Sequence, residues 1–131
     1  MSEENVEIVQ GLYEATNAQR WGTTWDQFAP EYEMDTSDTG IGVIRGVEAA
    51  EETLREYWET FESFQVELKE VIHSDKGQVI TVVRDGGRIK GSDAEVWNRF
   101  FHVWTFEKGK IVRLSIHTER SRALEAAGLS E

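Results

Sequence analysis

The sequence predicts an α+β fold, helices first and an antiparallel sheet after them. Apolar residues as far as position 61 recur mainly at helical spacing. From Phe64 to His117 the pattern turns to β-rich runs, cut into segments by the turn-forming stretches SDKG, DGG and EKGK. The chain has 131 residues, 39% of them hydrophobic, enough to bury one core, so a single domain over residues 1–131 is expected.

The first helix is expected over 4–17, where Val6, Val9, Tyr13 and Thr16 fall on one stripe flanked by Ile8, Leu12 and Ala15. Trp21 to Ala29 offers Thr23 or Thr24 as a cap and Trp25, Phe28 and Ala29 as an apolar side before Pro30, which suggests a short second helix. A strand from Tyr32 to Asp35 leads into TSDTGIGVIRG, whose glycines and small polar residues indicate a loop or irregular hairpin. Val47, Ala50, Leu54, Trp58 and Phe61 define the next helix, with an acidic solvated back. Four strands then follow: one around Val66 to Ile72, one from Val79 to Val83, and two long ones from Glu95 onward. A last helix, SRALEAAGL, ends the chain with Gly128 as its cap.

Charge and composition narrow the partners. With 25 acidic and 14 basic residues the net charge is −11, which repels phosphate backbones and anionic lipids, so neither nucleic acid nor a membrane surface is expected. Cysteine is absent and the acidic N-terminus lacks a basic, then apolar, leader, which points to the cytoplasm. The three histidines show no H-x-H or H-x-x-x-H spacing, and neither a metal nor another cofactor is expected.

The register of the final hairpin decides which way His102 and His117 face. A two-residue turn at Lys108 and Gly109 pairs Glu107 with Lys110 and puts Val103, Leu114, Phe101 and Ile116 on one apolar, helix-facing side. Phe100, His102, Trp104 and Arg113 would then form an outer face suited to a homodimer. A bulged turn at Gly109 is the alternative; it shifts the pairing by one residue and brings His102 and His117 to the pocket side.

The segments VEIVQGLYEATNAQRW, EYEMD, RGVEAAEETLREYWETF and RFFHVWTFEKGKIVRLSIHTERSRALEAAGL, in this order, resemble a SnoaL-like member of the nuclear transport factor 2-like superfamily, which also holds ketosteroid isomerases. The resemblance implies a curved antiparallel sheet wrapped over the N-terminal helices, forming a cone-shaped pocket. It implies no single activity, because the superfamily includes cyclases, isomerases, dehydratases, epoxide hydrolases and members without chemistry. In the isomerase branch the base is an aspartate at the end of the first strand, where this chain has Asp35. The two oxyanion donors of that branch fall on Leu12 and Phe101, so steroid isomerisation is not implied.

The resulting expectation is a cofactor-free cyclase or isomerase acting on an apolar oxygenated molecule. Asp35 would move the proton, Arg99 would hold an anionic oxygen, and Tyr13, Tyr32, Trp58, Trp97, Phe101 and Arg120 would line the pocket. His102 and His117 are the alternative catalytic pair. The competing expectations are an Asp35–Arg99 ion pair with a purely structural role, and a ligand-binding or dimeric scaffold domain without chemistry.

Overall fold

The computed structural model describes residues 2–129, with the side chain of Ser2 left aside. Its elements are α1 (Ser2–Asn17), β1 (Phe28–Asp35), β2 (Val43–Arg45), α2 (Val47–Trp58), β3 (Gln65–Ser74), β4 (Gln78–Arg88), β5 (Glu95–Glu107), β6 (Lys110–His117) and α3 (Arg120–Ala126). Short 3₁₀ turns cover Trp25–Gln27 and Ser37–Thr39. The strands form one open six-stranded sheet in the order β2-β1-β6-β5-β4-β3. From β3 to β6 it is an antiparallel meander, but β1 lies parallel to β6, so the sheet is mixed.

The helix expected over 21–29 is reduced to the 3₁₀ turn, and β1 begins at Phe28. Pro30 is tolerated inside β1 because the β1–β6 register shifts between Phe28 and Glu33, where no regular ladder needs its missing N–H. The loop after β1 is an irregular hairpin, with β2 folding back antiparallel on Met34 and its neighbours. The run DGG is no turn. β4 continues through Asp85, Gly86 and Gly87, and the backbone of β5 comes so close that a Cβ on Gly86 would lie 1.9 Å from the Val96 carbonyl oxygen.

Each face of the sheet has its own core. The inner face packs Val79, Trp104, Phe106, Ile111, Leu114, Ile116, Met34 and Tyr32 against Val9, Leu12 and Tyr13 of α1 and Ala50 of α2. The outer face packs Ile80, Val82, Phe101 and Val103 against Ala123, Leu124 and Ala127 of the C-terminal segment. α3 ends as expected at Gly128, with the Leu129 N–H returning to the Leu124 carbonyl.

The hairpin combines features of both expected registers. Lys108 and Gly109 both have positive φ, and Glu107 pairs with Lys110 and Phe106 with Ile111, which is the two-residue turn. A bulge follows at once: Thr105 pairs with Arg113, and from there Trp104 meets Leu114, His102 meets Ile116 and Phe101 meets His117. The faces expected for β5 are therefore exchanged, while β6 keeps Leu114 and Ile116 on the helix-facing side as expected. Phe101 and Val103 lie under α3 on the outer face, whereas Phe100, His102 and Trp104 face inward. The outer dimerisation surface of Phe100, His102, Trp104 and Arg113 does not form; of the four only Arg113 is on that side. Alternation failed as a guide because α3 covers the outer face as well, so apolar residues are needed on both sides.

Candidate functional site

Two adjoining clefts of about 90 and 80 Å³ open between α1, α2 and the inner face, sharing Leu12, Thr16, Leu54, Trp58, Trp104 and Leu114. Toward the α1–β1 connection the walls are Trp21, Trp25, Phe28 and Tyr32. Trp21 is stacked on Trp58 at 5.5 Å between centroids, and the Arg55 guanidinium lies over the Trp21 ring, 4.7 Å from its centroid. At the far end are Tyr13, His102, Phe64 and Val66. This is a narrow aromatic slot.

Its polar centre is the Tyr13 hydroxyl. Trp104 Nε1 donates to it at 3.0 Å, and it also meets Thr81 Oγ1 at 2.8 Å and His102 Nδ1 at 2.7 Å. α1 supplies Tyr13, and the alternation of β4 and β5 directs Thr81 and its cross-strand partner His102 to the same face. Burial drives the imidazole to about 3, with the nearby His117 adding to the effect, so His102 is neutral at physiological pH. Burial likewise pushes the Tyr13 phenol far up. Further along the inner face, Asp85 accepts a 2.6 Å hydrogen bond from Tyr57, and Asn98 donates to the same hydroxyl at 3.1 Å. Burial raises the Asp85 carboxyl to about 6, against the opposing effect of the Tyr57 bond.

Of the residues expected in the pocket, Tyr13, Tyr32, Trp58 and His102 line these clefts. Asp35 is elsewhere. It lies on the outer face, where the Ser37 amide donates to it at 2.9 Å and Arg113, not Arg99, at 2.6 Å. The Ser37 hydrogen bonds first, and then the charges of Arg113 and His117, hold its carboxyl below the ordinary value, opposite to the rise expected of a desolvated base. Glu33 shares Arg113.

His117 is also outside, with Nδ1 2.6 Å from Asp38 and Nε2 2.9 Å from Ser115. The order Ser–His–Asp suggests a nucleophile, but Ser115 is buried in mid-strand, paired with Asp35 on one side and Val103 on the other. Backbone N–H groups spent in two ladders offer no oxyanion site, and the trio ties the turn after β1 to β6. Trp97, Arg99, Phe101 and Arg120 do converge, together with Lys69 and Arg84, but on a separate outer cleft of about 570 Å³. There Arg84 stacks over Trp97 at 4.0 Å and Arg99 lies 5.3 Å from the Phe101 ring. Among the described residues no three His, Asp or Glu side chains stand together as a metal site, and no helix is long and apolar enough to cross a membrane.

The sequence reading missed Thr81, Asp85, Tyr57, Trp21 and Trp25. Asp85 was masked by the glycines after it, which imitate a turn, and Thr81 by the apolar run around it.

An open, mixed sheet folded over helices is the fold of the nuclear transport factor 2-like and ketosteroid isomerase-like proteins. Residues 9–114 match the model of the SnoaL-like domain, and the chain belongs to that family. Its fold is shared by Bal32a from a soil-derived mobile gene cassette (TM-score 0.77, 23% identity, 95% of this chain and 96% of that one). It is shared too by a Jannaschia protein assigned as a SnoaL-like polyketide cyclase (TM-score 0.76, 19% identity, 97% and 90% covered). TerC, crystallised with polyporic acid, has a TM-score of 0.73 at 16% identity, with 93% and 96% covered. No curated protein matches the chain in sequence.

Proposed function

We propose that this chain binds a flat, apolar, oxygen-bearing small molecule in the inner slot. The observation that carries the reading is a pair of adjoining narrow clefts, one walled by the stacked indoles and the other by the buried hydrogen-bonding centre at Tyr13 and His102. Aromatic walls supply contact area, and a few fixed polar atoms set orientation. A polyketide cyclase assignment and a polyporic acid complex among proteins of this fold support an oxygenated organic ligand. Proton transfer at Asp35 finds no support in its ion-paired outer position. Asp85, on the inner face and near 6, is the carboxyl suited to exchange a proton close to neutrality.

The test is thermal stabilisation by a panel of aromatic ketones, quinones, polyketides and steroids, since a ligand that binds the folded state raises its melting temperature by mass action. A selective shift that survives Asp35→Asn and is lost in Trp58→Ala supports the inner slot. A shift lost in Asp35→Asn but kept in Trp58→Ala refutes it.

A second reading places an anionic molecule in the outer cleft. Arg99 favours it, because among the described residues this guanidinium forms no ion pair. Binding there would weaken in Arg99→Ala and with added salt.

A further inference from the structure

The Tyr13 hydroxyl has one hydrogen and two lone pairs, and three groups to satisfy with them. The Trp104 indole can only donate, so it takes one lone pair. Thr81 is fully buried and its hydroxyl hydrogen-bonds to nothing else among the described residues, so the hydroxyl hydrogen has only the Tyr13 oxygen as acceptor. That fills the second lone pair. The Tyr13 hydrogen is left for His102 Nδ1, which must then be bare, and a neutral imidazole with a bare Nδ1 carries its hydrogen on Nε2. The reverse assignment strands the Thr81 hydrogen in the core without an acceptor.

We infer that Tyr13 locks His102 as its Nε2–H tautomer, that this N–H is presented to the inner slot, and that the ligand meets it with a carbonyl oxygen. The ligand part rests on the inner slot being the binding site. His102 lines the slot, and its Nε2 has no hydrogen-bond partner among the described residues. Along the adjoining cleft the unpartnered buried atoms are again N–H donors, Trp21 Nε1 and Trp25 Nε1. A carbonyl accepts from such groups and asks nothing back. A hydroxyl at the same place brings its own hydrogen as well, for which the lining offers only Thr16 Oγ1, already donating to the Leu12 carbonyl, and, in the adjoining cleft, Thr24 and Glu51. His102 is therefore a specificity-determining residue for carbonyl over alcohol. Its neutral donor polarises a carbonyl without transferring a full charge, as a preorganised electrophile does.

Two measurements test this. In ligand-free protein labelled with ¹⁵N-histidine, with His102→Gln used to assign its signals, long-range ¹H–¹⁵N correlation at neutral pH should show one tautomer protonated at Nε2. An Nδ1–H tautomer, an imidazolium or a mixture overturns the lock. Thermal shift titrations then compare 1-indanone with 1-indanol, the same rings differing only in carbonyl against hydroxyl. At least tenfold tighter binding of the ketone is expected, falling to near parity in His102→Phe. Equal or tighter binding of the alcohol overturns the carbonyl assignment while leaving the slot as the site. If neither compound nor any other in the panel binds and the tautomer is as expected, the site reading fails and the lock stands.

Discussion

Asp85 lets the energetics of the inner face be measured one atom at a time. Burial raises its carboxyl from 3.8 to about 6, so the folded state prefers it protonated more strongly than the unfolded chain does. A raised folded value stabilises fully below the unfolded value, and that advantage is lost as pH climbs through the folded one. About two pH units at about 1.4 kcal/mol each put the cost of the buried carboxylate near 3 kcal/mol above pH 6–7, relative to pH below 4. Asp85→Asn keeps an oxygen to accept the Tyr57 hydroxyl but cannot ionise. The difference in unfolding free energy, variant minus wild type, should therefore rise by about 3 kcal/mol between pH 3 and pH 8. Any constant penalty for placing an amide there cancels in this comparison, as do the other titrating groups common to both proteins. Urea unfolding followed by tryptophan fluorescence at several pH values measures it. A difference flat to within about 0.5 kcal/mol would mean that Asp85 is solvated and that its hydrogen bond to Tyr57, not its burial, governs it.

Other expectations follow from the same contacts. His102, held neutral with its value near 3, stabilises fully above the unfolded value of 6.5 and loses that contribution as pH falls toward 3; His102→Gln should flatten this acid-side decline, worth up to about 5 kcal/mol, in the same urea series. Trp104→Phe removes the indole donor to Tyr13 and should cost about 1–2 kcal/mol in thermal or urea unfolding while the fold persists. Arg113→Ala leaves Glu33 and Asp35 side by side without their shared cation, and should cost about 1 kcal/mol, less at high salt. Gly86→Ala drives a methyl into the Val96 carbonyl and should cost at least about 3 kcal/mol, read as loss of cooperative unfolding.

The helices α1 and α2 and the β3–β6 meander were legible because each buries one regular stripe or one alternating face, and periodicity records that directly. Where a second partner intervened, the record became ambiguous. Both faces of β5 are covered, so Phe101 and His102 could each have been the inward residue, and the bulge after Ile111 left the turn residues correct while shifting everything beyond them. Asp35 was legible as the end of the first strand but not as Arg113's partner, because β1 meets β6 across 78 residues of chain and no local pattern encodes a parallel pairing of that range. Tyr13 lies on the wall of the inner cleft, yet its role as a three-way hub depends on Thr81, which looks like any β-branched residue in a valine-rich strand.

The parallel pairing of β1 with β6 also bears on how the chain comes together during synthesis. β1 is made early, but the strand that completes its edge and carries Arg113 emerges only after β3, β4 and β5. Until then β1 has only the short β2 beside it, whose Arg45 reaches Glu33 at 3.5 Å, and Asp35 lacks its cation. The meander, whose contacts are local, can assemble first, and docking β1 onto β6 must close a loop of some 80 residues. On the ribosome the amino-terminal third would therefore wait, exposed and acidic, for the last strand. A net negative charge on that waiting segment opposes its self-association.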